Sequence, residues 1–269
     1  MGEEINMAQV TQKLDNLKPE LEEEVLNGKI SGILPELVLQ VQELEIKKSD
    51  NKPAQPIPKQ VEISVRLLHE QCRQLCLSVF YRRHEPVRSL GFTSSIEGEG
   101  KSFLSIMSAQ SLAEDSSYPV LLVECNWERP SLHKFFGFES TPGLAEWLRG
   151  ECSEDDIRHK ADQNLTIIPA GDGKQDSVKL LELIRQKGLL DIFTEPKELL
   201  IVDLPAIVST AYGVLAANLV ETLVVVVRAG VTPDALVTKT CAHLQDIRIE
   251  GVILNQVQRK IPRWIRRIL

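Results

Sequence analysis

The sequence predicts a doubly wound, mostly parallel α/β sheet with an N-terminal helical extension. Three observations carry that expectation: six short apolar runs, helix-length amphipathic segments between most of them, and a glycine-bearing turn between the first run and a helix. The runs are Val87–Phe92, Pro119–Val123, Leu165–Ile168, Leu199–Val202, Leu223–Val227 and Val252–Leu254. They are too uniformly apolar for strands with one wet face, so they read as strands covered on both sides. Right-handed crossovers then give a sheet domain from about 86 to 260, with ligands at the carboxyl ends of its strands.

What precedes the sheet differs in character. Residues 1–47 are acidic, with helical apolar spacing at Leu34, Leu37, Val38, Val41 and Leu44. They read as an interaction module or as a solvated helical extension. Residues 48–59, KSDNKPAQPIPK, hold three prolines and read as an extended linker. A helix is expected from Val61 to about Arg83, within a nucleotide-binding domain placed at 60–260. Its Cys72 and Cys76 share one face at i, i+4 and read as core or interface packing, not metal ligation.

Charge is polarised along the chain. The 269 residues sum to −7, which gives no global field for nucleic acid, and no nucleic-acid partner is expected. Residues 1–50 carry eleven Asp/Glu against five Lys/Arg. Residues 255–269 carry five Lys/Arg and no acid. No apolar stretch is long enough to span a bilayer, no secretory signal is visible, and the five cysteines form no paired CxxC set. The expected location is the cytoplasm, with reduced thiols.

The turn after the first run reads Thr93-Ser-Ser-Ile-Glu97-Gly98-Glu99-Gly100-Lys101-Ser102-Phe103. A phosphate cradle needs glycines where the backbone approaches the anion, successive N–H groups, and a helix N-terminus behind them. Glu97 to Phe103 supply that loop. Lys101 is placed to reach the terminal phosphates of ATP or ADP, and the Ser102 hydroxyl to ligate Mg²⁺. Ser95 stands where the general phosphate-loop pattern has its first glycine. Asp203, closing the run Leu199–Val202, is the natural metal-side carboxylate. A glycine-rich helix cap and a strand-end cap are the plainer readings of the same residues.

These motifs, in order, resemble the bacterial tyrosine kinases of capsule and exopolysaccharide biosynthesis, a P-loop NTPase family. SSIEGEGKS is similar to that family's phosphate loop, and VLLVECNWERPSLHKFF (Val120 to Phe136) to its second motif, VLLIDADLRRPxLHxxF. IVDLPA resembles IIDTPP, and VVVVRAG and GVILNQV resemble two later strands. Glu70 and Arg73 resemble the start of an ExxRxxR oligomerisation helix, with Cys76 at the second arginine. The resemblance implies ATP or ADP with Mg²⁺, a homo-oligomer, and a membrane polysaccharide co-polymerase, chain-length or export protein as partner. It places the chain at the inner face of the cell membrane. His133 matches the LHxxF element and reads either as a site residue or as a structural one.

The departures fall on chemistry positions. Two motif aspartates are Glu124 and Asn126, Glu128 replaces an arginine, Ala206 a proline and Tyr212 an aspartate. Glutamate keeps the charge and shifts it by a methylene; asparagine cannot take a proton. Loss of a positioned base costs roughly 10²–10⁴ in rate. The family's tyrosine-rich tail is absent from a sequence with three tyrosines. The expectation is an ATP-binding relative with weak or no kinase activity that regulates polysaccharide synthesis or export. The catalytic candidates are Lys101, Asp203 and Glu124, with Ser102 and Asp203 for the metal. An active kinase or ATPase using Glu124, a nucleotide-free scaffold, and a membrane-associated positioning ATPase are the alternatives. The last lacks its marker lysine, because Ile96 stands at that position.

Residues 261–269, IPRWIRRIL, place Ile261, Trp264, Ile265 and Ile268 on one helical face with arginines off it. Weak contact with an anionic membrane, docking on a partner, and packing on the chain itself all fit.

Overall fold

The computed structural model describes residues 59–81, 87–189, 193 and 198–256. The expected acidic extension at 1–47, nearly all of the linker and the basic tail lie outside the described residues. One compact unit, Leu68–Asn255, contains the sheet.

All six apolar runs form strands, displaced by a residue or a few at the ends: β1 (Ser89–Ser94), β2 (Val120–Glu124), β4 (Leu165–Ile168), β5 (Leu199–Asp203), β6 (Thr222–Arg228) and β7 (Ile249–Asn255). A seventh, β3 (His159–Asp162), pairs antiparallel with β4 at one edge. Its sequence, HKAD, is polar and mostly exposed, so it carried no apolar signal. The strand order is β3-β4-β2-β5-β1-β6-β7, and the other neighbouring pairs are parallel. The central strands β1, β2 and β5 are buried along their whole length, as a sheet covered on both faces requires.

Helices supply the cover. The first, α1 (Lys59–Phe80), is followed by α2 (Lys101–Asp115), which packs against β1, β2 and β5. The short helices α3 (Leu132–Phe136) and α4 (Leu144–Arg149) follow β2, α5 (Ser177–Lys187) follows β4, α6 (Gly213–Ala217) follows β5, and α7 (Asp234–His243) precedes β7. Leu121, Val123, Leu200, Val202, Leu223 and Val225 form one buried cluster with Leu144, Leu180, Ile184 and Ala216. The period-2 alternation of a strand therefore sends the intervening residues, Glu124 and Asp203 among them, to the opposite side.

From Leu68 onward α1 lies on α2. Leu68, Cys72, Cys76, Val79 and Phe80 are buried at helical spacing. The Cys76 thiol donates to the Ser108 carbonyl, and burial pushes the Cys72 thiol up to about 11. The two cysteines are core residues. Arg73 donates to both oxygens of Asp115 at 2.5 and 3.1 Å, while Glu70 lies at 3.5 Å on the same guanidinium. The arginine expected at an oligomer contact is thus engaged by its own chain.

Candidate functional site

Three parallel strands converge on the loop 94–102: β1 runs into it, β5 flanks it on one side and β6 on the other. This is the point where the strand order reverses: β1 leads to β2 on one side and β5 to β6 on the other, and a crevice at the carboxyl ends follows from the topology. The β5 end holds the loop's base. The Ile207 and Val208 amides donate to the Ser94 and Ser95 carbonyls, and the Thr93 hydroxyl to the Pro205 carbonyl. Ser95 is fully buried and its hydroxyl accepts from Thr240 on α7. A serine at the first loop position is therefore tied to the scaffold where the general pattern has a glycine.

Beyond Ser95 the chain curls. Gly98 and Gly100 have φ of 80° and 93°, left-handed values that favour glycine. Gly100 is the N-cap of α2, so the helix opens with its N–H groups directed at the curl. Lys101 is buried, Ser102 and Phe103 are half-buried, and among the described residues Lys101 has no ion-pair partner.

Asp203 ends β5 beside Lys101 and Ser102. It is fully buried, and both of its carboxylate oxygens lack a hydrogen-bond partner among the described residues. Burial pushes its carboxyl up, and the Lys101 ammonium and Ser102 hydroxyl pull against that push. An orphaned buried carboxylate costs free energy unless a cation or donor completes it. Its oxygen atoms and the Ser102 hydroxyl are the hard ligands that Mg²⁺ takes. The loop, the ammonium and the carboxylate fit a magnesium-bound nucleotide.

The wall opposite the loop is built differently. Glu124 stands in register with Asp203 on the neighbouring strand and is equally buried. Its Oε1 accepts from the Ser131 and Leu132 amides at 2.5 and 3.1 Å, and its Oε2 from the Ala170 amide at 3.3 Å. The carboxylate thus caps α3 and ties it to β4. Burial, with the Asp203 charge second, raises the Glu124 carboxyl to about 7 against those three amides. Asn126 is buried, with its amide nitrogen at 3.4 Å from the Arg129 carbonyl and its Oδ1 unpartnered among the described residues. The Trp127 indole donates to the Ala170 carbonyl and packs 5.9 Å from the buried Tyr212 ring.

The neighbouring acids also have partners: Glu97 pairs with Arg129 at 3.4 Å and Glu128 with Lys174 at 3.4 Å. The Glu99 carboxylate bridges the curl and the end of β6, accepting from the Ile96 amide on one oxygen and from the Arg228 amide and Thr232 hydroxyl on the other. His133 lies on α3; burial lowers its imidazole, and its Nδ1 has no partner among the described residues. Sequence reasoning brought Lys101, Ser102 and Asp203 together. It did not find the capping role of Glu124, the Ser95–Thr240 bond or the destination of Glu99, each of which depends on a partner distant in the chain or on a side-chain rotamer.

No family model matches the chain. Among curated proteins it is 27% identical over 217 residues to the tyrosine-protein kinase ptk of Acinetobacter johnsonii, covering 80% of this chain and 29% of that one. It is 26% identical over 172 residues to the tyrosine-protein kinase YwqD of Bacillus subtilis, covering 63% and 72%. The chain thus spans less than a third of the Acinetobacter relative and most of the Bacillus one. Among solved structures, the kinase domain of the Escherichia coli tyrosine kinase ETK superposes with a TM-score of 0.66 at 22% identity, over 79% of this chain and 85% of that one. The septum site-determining protein MinD of Pyrococcus horikoshii, complexed with Mg-ADP, superposes at 0.53 and 19% identity, over 68% and 77%. Both share the fold described above.

Proposed function

We propose, from the premise that this chain is a member of the bacterial tyrosine-kinase family of P-loop proteins, that it binds ATP or ADP with Mg²⁺ and works as a nucleotide-responsive regulator of polysaccharide synthesis or export. The observation that carries the reading is Asp203: a buried carboxylate with two unpartnered oxygens, beside Lys101 and Ser102 at the start of a helix. In this reading the amides of the curl from Glu97 to Phe103 take the phosphate oxygens. Lys101 neutralises their charge, and Ser102 and Asp203 hold the metal. The bound group supplies the phosphoryl chemistry; the chain supplies position and charge.

Catalysis of phosphotransfer needs a group to orient or deprotonate the acceptor, and the opposite wall offers little. Glu124 is engaged by three amides, Asn126 carries no charge, and Tyr212 stands where the resembling motif has an aspartate. Losing such a base costs roughly 10²–10⁴ in rate. A protein that binds but scarcely turns over can still regulate, provided nucleotide favours one conformation or assembly. A membrane polysaccharide co-polymerase or export protein is the proposed partner, at the inner face of the membrane. Among the described residues no helix is long and apolar enough to cross a membrane.

Titration with labelled ATP, with and without Mg²⁺, tests the reading, with Lys101→Met as control. Expected are Mg²⁺-dependent binding in the parent, loss in the variant, and phosphotransfer or hydrolysis far below kinase rates of about 1 s⁻¹. Turnover at or above that rate would replace the regulator with an active kinase. No binding at all would leave a nucleotide-free scaffold.

A further inference from the structure

Glu99 puts a negative charge inside the phosphate loop, opposed to that of the ligand. The structure gives it another task. Its side chain is 1% exposed and lies between the loop and the end of β6. Oε2 accepts from the Ile96 amide at 2.8 Å, closing the curl on itself three residues back. Oε1 accepts from the Arg228 amide at 3.1 Å and from the Thr232 hydroxyl, which ties the curl to the turn after β6. The Glu99 carbonyl accepts from the Asn255 amide nitrogen at 2.8 Å, at the end of β7. That side chain fills the space into which a Cβ on Gly100 would project.

We propose that Glu99 is a positioning residue: its carboxylate clamps the phosphate loop to the β6–α7 turn and so holds the loop in its ligand-binding curl before nucleotide arrives. The inference rests on the nucleotide reading above and extends it. A loop with two glycines in left-handed conformations has much backbone freedom to lose, and a ligand that orders it pays that cost from its own affinity. The clamp removes the cost in advance. It also holds the carboxylate between the curl and the end of β6 and surrounds it with three donors, so its charge is compensated within the scaffold. Only a carboxylate fits, because both oxygens must accept. An amide of the same shape would turn an NH₂ group towards a backbone N–H or towards Arg228 and Thr232.

The test compares Mg-ADP affinity of the full chain in the parent and four variants, one of them a double. Glu99→Gln is expected to weaken binding tenfold or more and to slow association. Thr232→Val, which removes one donor, is expected to weaken it about threefold in the parent and not at all in the Glu99→Gln background. Glu221→Gln is the control, because Glu221 also accepts two backbone amides, those of Arg88 and Ser89, at the far end of β1. Both amides reach one oxygen, Oε2, which glutamine can supply, so Mg-ADP affinity is expected to stay unchanged. In nucleotide-free protein the Ile96 and Arg228 amides are expected to exchange slowly, and Glu99→Gln to make both fast. A parent that binds Mg-ADP while Glu99→Gln binds equally well, or no more weakly than Glu221→Gln, overturns the clamp and leaves the nucleotide reading intact. A parent that does not bind Mg-ADP overturns both.

Discussion

Glu124 gives the sharpest quantitative test of how the site is built. Its carboxyl ionises in the unfolded chain near 4.5 and in the fold only at about 7. The native state therefore keeps a proton that the unfolded chain releases between those values. Unfolding releases a proton in this window, so stability falls as pH rises through it; below about 4.5 the contribution is fully present. At roughly 1.36 kcal/mol per pH unit, most of that displacement lies between pH 5 and 8 and amounts to about 3 kcal/mol. That is a large part of the 5–15 kcal/mol that holds a typical domain together.

The perturbation is Glu124→Gln, compared with the parent by urea unfolding at pH 5, 6, 7 and 8 without nucleotide or metal. Glutamine keeps an acceptor for the Ser131 and Leu132 amides and turns a donor towards the Ala170 amide, at a cost of about 1 kcal/mol. At pH 5 the parent is expected to be the more stable by about that amount. At pH 8 the order reverses, because only the parent must then bury a charge beside Asp203. Asp203 is present in both proteins, and its coupling to position 124 is part of the difference that the two curves read. Parallel curves across the range would refute the reasoning, since they would mean that Glu124 is ionised in the fold throughout.

Two further substitutions probe the packing and the curl. Cys76→Arg, which restores the residue type of the resembling oligomerisation helix, would bury a charge at a fully enclosed position against Ser108. A loss of at least about 3 kcal/mol in urea unfolding is expected, with no gain in self-association. Gly100→Ala forces an L-residue into φ 93° and pushes its Cβ into the Asn255 amide. Strain of about 1–2 kcal/mol is expected in the melting curve, with Mg-ADP affinity reduced at least tenfold.

What the sequence revealed and what it hid divide along a physical line. The buried strands were legible because burial on both faces needs uninterrupted apolar residues, and Leu223–Val227 or Leu199–Val202 satisfy nothing else. The loop was legible because glycines at 98 and 100, a lysine and a hydroxyl are needed within a few residues of one another. Strand β3 escaped because an edge hairpin needs no apolar run. The partners of Glu99 escaped because Arg228 and Thr232 lie about 130 residues away, and no local pattern marks such a contact. The partner of Arg73 escaped for a related reason: the helix motif was visible, while the Asp115 that engages it in the same chain was not.

The substitutions on the wall opposite the loop also make sense as one set. A carboxylate at 124 that reaches the amides of Ser131, Leu132 and Ala170 needs the extra methylene of glutamate, so the group that resembles a catalytic aspartate serves as a cap. Trp127 spans to the Ala170 carbonyl, and Tyr212 packs on its ring. Most polar groups on that side have thereby been given partners within the scaffold. Among the described residues Tyr212 Oη, His133 Nδ1 and Asn126 Oδ1 stay buried and unpartnered, and Asn126 is the one two residues from Glu124. It is therefore the position at which charge can be restored without dismantling the cap: Glu124→Asp would strand three amides, whereas Asn126→Asp removes only a 3.4 Å contact to the Arg129 carbonyl. Asn126→Asp is expected to raise Mg²⁺-dependent turnover at least tenfold, the low end of what a positioned base contributes. The gain should disappear when Lys101→Met is added. A folded Asn126→Asp protein that binds nucleotide but turns over no faster than the parent would move the catalytic deficit from this wall to the aromatic pair behind it.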